Sequence, residues 1–457
     1  TAPNAAPQVT ERELAAADAL RGHLEISGPV SVAQLAAMTS LPAMLVDVGL
    51  ARLEAEGFAL RGSFDPSLAG DQWCARRLLM RIHGYTQQRL RREIEPVTAQ
   101  DFMRFLLRWQ RVAPGTQREG RAGVAATIAQ LQGFELPVSA WESDILPRRV
   151  GGYRAALLDD LCLSGQVAWG RLRVRDTADE QQLSRSTAFP NRATPVTLFM
   201  RDDLPWLLQS VRGDAAPAEP RHGATHDVIS ALRRHGALFT GDIARLARRL
   251  PAEVETALWD GVARGILTAD GYSSVRMLLA GRRASHSTAP PRGLRRGAAL
   301  RAPSEGRWSL IHEPDPIADR DALVEAVAEQ LLVRWGVVFR DVLVRETFSV
   351  AWRDMLWALR RMEARGTVRG GRFVNGFVGE QFALPEAVDD LRSVRRTPPT
   401  GETVRISAAD PLNLVGVILP GGRIPALRTN TVTFRDGVAV DLDSNTRTSA
   451  HAWSAAG

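Results

Sequence analysis

Apolar positions recur at helical spacing through three similar stretches of the chain, each followed by a short alternating run, which is the pattern of helices capped by a β hairpin. In the first, ERELAAADALRGHLE predicts a helix, Gly28-Pro29 a turn, residues from Ser31 to Met38 a second helix, and Leu45, Val48 and Leu53 a third after Pro42. The third stops at Gly57, and FALRG reads as a strand. The order returns over 226–280, where DVISALRRHG, DIARLARR and EVETALWDGVARG predict helices and ILTADGYSSVRMLL a hairpin around Asp270-Gly271. It returns again over 321–385, with DALVEAVAEQLLVRWG, RDVLVRETF and VAWRDMLWALRRMEARG before a wing that turns at Gly370-Gly371 and Asn375-Gly376. Helix, helix, helix and hairpin make a winged helix, and three copies predict a tandem array. The fold class expected is mainly α with small β elements.

Between the copies the pattern changes. Residues 71–220 read as a helical core, 281–320 as a linker rich in Arg, Pro, Gly and Ser, and 401–445 as short strands (VRISA, NLVGVIL, TVTF, VAVDL). The winged helices then fall at 1–70, 221–280 and 321–400, and the Ser/Thr/Ala-rich 446–457 reads as a disordered tail. The helical core is centred on 101–172. There Val124, Ile128 and Leu131 line one helix face, Gly133 ends the helix, and Gln130 and Gln132 sit on its last turn. Residues two apart on a helix point about 200° from one another, so both amides line one pocket only if the helix unwinds at Gly133. The pair suits a solvated helix end as well as a site that positions water or the edge of a flipped base.

Composition narrows the chemistry. All 58 basic residues are arginine, and a net charge of +7 with a pI near 10.5 points to a polyanionic partner. Without lysine there is no Walker A loop and no side-chain Schiff base. Cys74 and Cys162 are far apart and lack metal spacing, and none of the eight histidines has a ligand spacing on a helix, so neither metal nor cofactor is expected. The first residue is Thr and no signal peptide or membrane span is evident, so the chain reads as a cytoplasmic, nucleoid-associated fragment of a longer protein.

Candidate contacts follow from these elements. The stretch 72–94 reads as a helix carrying Arg77, Arg81 and Arg92 near one face. Arg353, Arg360 and Arg361 lie outside the apolar stripe of the last recognition helix, and Arg369 and Arg372 lie on its wing. A solvated face, or a protein-docking one, would carry the same arginines. Trp109 and Trp141 are candidates for stacking on an extruded base, with burial in the core as the plain alternative. Glu135 and Asp144 are the carboxylates nearest the amide pair, and Asp441 and Asp443 alternate along the last strand.

The stretches ARRLLMRIHGYTQQRLRREIEPV, QDFMRFLLRWQRVAPGTQ, QLQGFE with WESDILPRRVGGY, GRFVNGFVGEQFALPEAVD and AADPLNLVGVILPGGRIPAL resemble the C-terminal region of Lhr-type bacterial DNA-repair helicases. That region is similar to AlkZ-type DNA glycosylases, whose Gln-apolar-Gln motif Gln130-Leu131-Gln132 matches by type. The resemblance implies tandem winged helices with a β-barrel element at 401–445 and an AlkZ-like core at 71–220. It implies a DNA-binding region, with monofunctional glycosylase activity assigned to Gln130 and Gln132; Glu135 and Asp144 join them as catalytic candidates only by their nearness to the pair. Its partners would be DNA, read largely without sequence preference, the motor domains of the same polypeptide and a second copy of the chain. A non-catalytic DNA-binding and oligomerisation module is the alternative.

Overall fold

The computed structural model describes residues 11–92, 95–174, 194–277, 279, 306–312, 317 and 319–443. The chain divides into two compact units, one up to Ile94 and one from Glu95.

The first unit holds α1 (Glu11–Ile26), β1 (Val30–Ser31), α2 (Val32–Thr39), α3 (Ala43–Ala55), β2 (Ala59–Gly62), β3 (Gln72–Ala75) and α4 (Arg76–Arg92). Ser31 starts α2 with a capping box, its hydroxyl accepting from Gln34 N while its own N–H donates to the Gln34 side chain. Leu20, Leu24, Leu35, Val46, Leu50 and Leu53 bury the inner faces of the three helices against Trp73 of the sheet. β3 lies antiparallel between the other two strands, in the order β1-β3-β2. The helix expected from residue 72 therefore begins at Arg76. Residues 72–75 are buried on both faces, and their backbone groups are taken by two ladders.

The second unit opens with α5 (Ala99–Trp109) and holds three further copies of this pattern. One runs β4 (Arg118–Glu119), α6 (Gly120–Leu131), β5 (Leu136–Pro137), a π-helical turn at Trp141–Ile145, α7 (Leu146–Arg149), β6 (Val150–Gly151), α8 (Ala155–Leu163), β7 (Val167–Gly170) and β8 (Pro195–Met200). After it comes α9 (Leu204–Arg212). The sheet order β5-β8-β7 repeats that of the first unit, so the expected helical core at 71–220 contains a winged helix. The second and third strands are parted by a long excursion, so no short hairpin signals the wing.

The next copy comprises α10 (Ala224–His235), α11 (Thr240–Ala247), α12 (Pro251–Ala263), β9 (Leu267–Ala269) and β10 (Trp308–Leu310). No hairpin forms at Asp270-Gly271. β9 pairs instead with β10, which also bridges Leu238, so the end of the expected linker supplies a wing strand. The last copy has α13 (Arg320–Trp335), β11 (Val337–Val338), a 3₁₀ turn at Arg340–Arg345 in place of the expected second helix, α14 (Trp352–Ala364), β12 (Arg369–Gly371) and β13 (Gln381–Ala383), in the order β11-β13-β12, followed by α15 (Pro385–Arg396).

β14 (Thr403–Ser407), β15 (Thr431–Arg435) and β16 (Val438–Asp443) form a three-stranded antiparallel meander and not a barrel, since three strands cannot close on themselves among the described residues. Most of the expected linker and the tail at 446–457 lie outside the described residues.

A continuous core joins the two middle copies, with Trp169 edge-on to both Trp308 and Tyr272 at 6.0 and 5.9 Å. The meander is tied in by charge. Arg149 of α7, fully buried, donates to both carboxylate oxygens of Asp410 at 2.7 and 2.8 Å and to Gln110 Oε1 at 3.0 Å. Among the described residues no single helix is long and apolar enough to cross a membrane.

Candidate functional site

The amide pair sits where α6 ends. Gln132 leaves the helix with φ −55° and ψ 143°, and Gly133 follows with φ +86°. Gly133 answers two demands at once, because its conformation is left-handed and a Cβ there would come within 2.7 Å of the Phe348 ring. The helix unwinds one residue earlier than its stop signal, and both side chains are buried, each among its own set of partners.

Every side-chain polar atom of the pair is engaged by protein. Gln130 Oε1 accepts from Arg118 Nη1 at 3.1 Å, and its Nε2 donates to Trp109 O and Val333 O at 3.3 and 3.2 Å. Gln132 Oε1 accepts from Met200 N at 3.0 Å, and its Nε2 donates to Asp203 Oδ2 at 2.8 Å and Gln330 Oε1 at 3.0 Å. α13 caps the freed carbonyls of α6. Gln330 donates to Ala129 O and Gln130 O, while Arg334 donates to Gln130 O and Gln132 O and pairs with Glu346. The Arg334 guanidinium lies 5.6 and 5.7 Å from the rings of Phe134 and Phe348. The motif is thus the contact between two winged helices.

Of the two carboxylates expected beside the pair, neither hydrogen-bonds to it. Glu135 is buried and accepts from Leu172 N and Arg173 N at 2.8 and 2.9 Å. Burial pushes its carboxyl above the ordinary range, more than these donors and the nearby Arg171 offset. Asp144 lies on the π-helical turn, half-buried, and takes hydrogen bonds from Ser143 and Arg428. The carboxylate that does meet the pair is Asp203, which sequence reading missed. It precedes α9, is half-buried, and also accepts from Trp206 Nε1 at 2.9 Å. Its position 71 residues after Gln132 leaves no spacing signal.

Neither tryptophan is free to stack. Trp141 is fully buried, with Nε1 donating to Val196 O, and Trp109 stacks on Phe105 while donating to Val333 O. The recognition-helix arginines are largely neutralised. Arg353 lies 3.7 Å from Asp354, Arg360 donates twice to Glu380, and Arg361 lies 3.3 Å from Asp321. Arg369 and Arg372 on the wing are exposed and make no ion pair among the described residues. Arg77 and Arg81 are exposed on α4, and the side chain of Arg92 lies outside the described residues, as do those of Asp441 and Asp443 on β16. Among the described residues no cluster of His, Cys, Asp and Glu could hold a metal ion.

Four helix-and-wing units on one chain, with no metal cluster among the described residues, define a tandem winged-helix protein. Models described as the winged-helix domain of the large helicase-related protein match residues 97–185 and 317–403. The chain is 30% identical over 433 residues to a Mycolicibacterium smegmatis protein named Lhr helicase/probable uracil glycosylase, covering 88% of this chain and 26% of that protein. It is 29% identical over 453 residues to the Escherichia coli K12 Lhr helicase/uracil glycosylase, covering 92% and 28%. This chain is a C-terminal region of the large helicase-related type, and it spans about a quarter of the length of these relatives.

Proposed function

We propose that the chain binds DNA and removes uracil-type bases from it by hydrolysis, as part of a helicase polypeptide. The observation that carries the reading is the likeness, over about nine-tenths of the chain, to two relatives named for both helicase and uracil glycosylase. In this reading Gln130 and Gln132 are positioning residues. Gln130 presents Arg118, and Gln132 orients Asp203, a carboxylate that could activate water or stabilise the cationic sugar as the base leaves. With no lysine in the chain to attack the sugar, the product is an intact strand bearing an abasic site.

The test is incubation of the purified chain with a uracil-containing duplex, followed by alkali. Breakage only after alkali supports hydrolysis, and a borohydride-trapped adduct or no excision contradicts it. Asp203→Asn should abolish excision while leaving DNA affinity within about twofold. A second reading, a non-catalytic DNA-binding module, is favoured by one observation: both amides are already saturated by protein partners. Excision undiminished in Asp203→Asn would remove the role given to that carboxylate, whereas absence of excision from the wild type would leave the module.

A further inference from the structure

Two loops of the second unit are bound side by side. Arg118 and Glu119 pair in parallel with Val150 and Gly151. The Gln117 side-chain amide donates to Ala113 O at 2.9 Å and reaches Arg111 O and Arg148 O, each at 3.4 Å. This holds the backbone of Arg111 and Arg148 beside the loop that carries Arg118, and the Arg111 charge is near enough to act on Arg118. Among the described residues none of the three makes an ion pair, and Glu119 on the same loops is exposed and does not neutralise them. Arg149, next in sequence, is already answered by Asp410.

The patch is open as well as cationic. Gly115, Gly120 and Gly152 lie on these loops with φ of +74°, +63° and +61°, and a Cβ at any of them would meet nothing within 4 Å. Arg111 itself holds a left-handed backbone, φ +61°, which a non-glycine residue adopts at a cost. Arg118 is half-buried, and burial, followed by the charges of Arg111 and Arg149, holds its guanidinium below the ordinary range. A polyanion relieves such crowding, and the guanidinium fork fits phosphate oxygens.

We propose that the loops at 111–120 and 148–154 hold backbone phosphates of bound DNA between Arg111, Arg118 and Arg148. The inference rests on the DNA-binding reading above and gives it a place. Through the Arg118–Gln130 hydrogen bond the strand is held beside the Gln-Leu-Gln motif.

The experiment measures affinity of the whole chain for a short labelled duplex between about 50 and 200 mM salt, where each phosphate contact contributes about −0.9 to the slope of log K against log salt. Arg111→Ala with Arg148→Ala should make the slope shallower by about 1 to 2 units. Arg118→Gln, which can still donate to Gln130, should remove about one more. The control is Arg233→Ala with Arg245→Ala, which removes the same charge from arginines already paired with Glu219 and Asp242, and its slope should stay unchanged. A wild-type slope retained in the loop variants, or an equal loss in the control, overturns the inference while leaving DNA binding standing. A wild type without salt-dependent binding overturns both. Displacement of the duplex by millimolar inorganic phosphate, beyond that by chloride of equal ionic strength, would mean a free-phosphate site and also overturns it.

Discussion

At the scale of single residues, burial decides what each polar group can do. Gln132 serves three partners, so Gln132→Ala leaves Met200 N, Gln330 and Asp203 short of a bond. Each buried group so stranded costs about 1–3 kcal/mol, and urea unfolding of the variant should show a loss of at least that size. A loss of excision in the same variant therefore speaks for catalysis only if measured on folded protein. Glu135 makes a different case. Its pKa is raised in the folded state, so its contribution is favourable below the unfolded pKa and is lost as pH rises through the folded one. Glu135→Gln keeps an oxygen for Leu172 N and Arg173 N, and its melting temperature should exceed that of the wild type by a margin that widens from pH 5 to pH 8. A margin independent of pH would contradict this sign.

At the scale of elements, the helices were legible because apolar spacing, a Gly stop such as Gly57 and a Pro start such as Pro251 are local signals. Wings were legible only where their strands are close in sequence. The hairpin before Gln381 was read from Asn375-Gly376, where Gly376 has φ +89°, while Gly370 and Gly371, expected as a turn, lie within β12 and pair with Phe382 and Gln381; β7 and β8, or β9 and β10, meet across long excursions that periodicity cannot bridge. One wing signal is plain only in retrospect. Gly70-Asp71-Gln72-Trp73 and Gly379-Glu380-Gln381-Phe382 start equivalent strands. In each the buried glutamine accepts from two successive backbone N–H groups of the wing loop, Phe64 and Asp65 in one and Phe373 and Val374 in the other. The candidate site was half legible: the amides were named, but Asp203, Gln330 and Arg334 are supplied by distant elements. Gly133 carries the element-scale prediction. Gly133→Ala should cost about 1–3 kcal/mol for the left-handed backbone and more for the Phe348 contact, read as a lower denaturation midpoint.

At the scale of the whole second unit, charge joins parts that the sequence divides. Arg149 and Asp410 are almost wholly buried, and removal of one partner leaves the other uncompensated. Asp410→Ala should therefore cost about 3–5 kcal/mol in chemical denaturation, while a paired change of both residues to apolar ones should cost much less. The boundary drawn near residue 400 from the change to strands is thus a boundary of pattern and not of folding. The pair also sets an order in time. Asp410 leaves the ribosome 261 residues after Arg149, roughly 13–50 s later at about 5–20 residues per second, and until then α7 holds a charge that its own winged helix cannot answer. Nascent chains arrested before residue 410 should stay open to protease at 110–150, and those arrested well beyond it should close, so this winged helix is completed only after Asp410 has emerged.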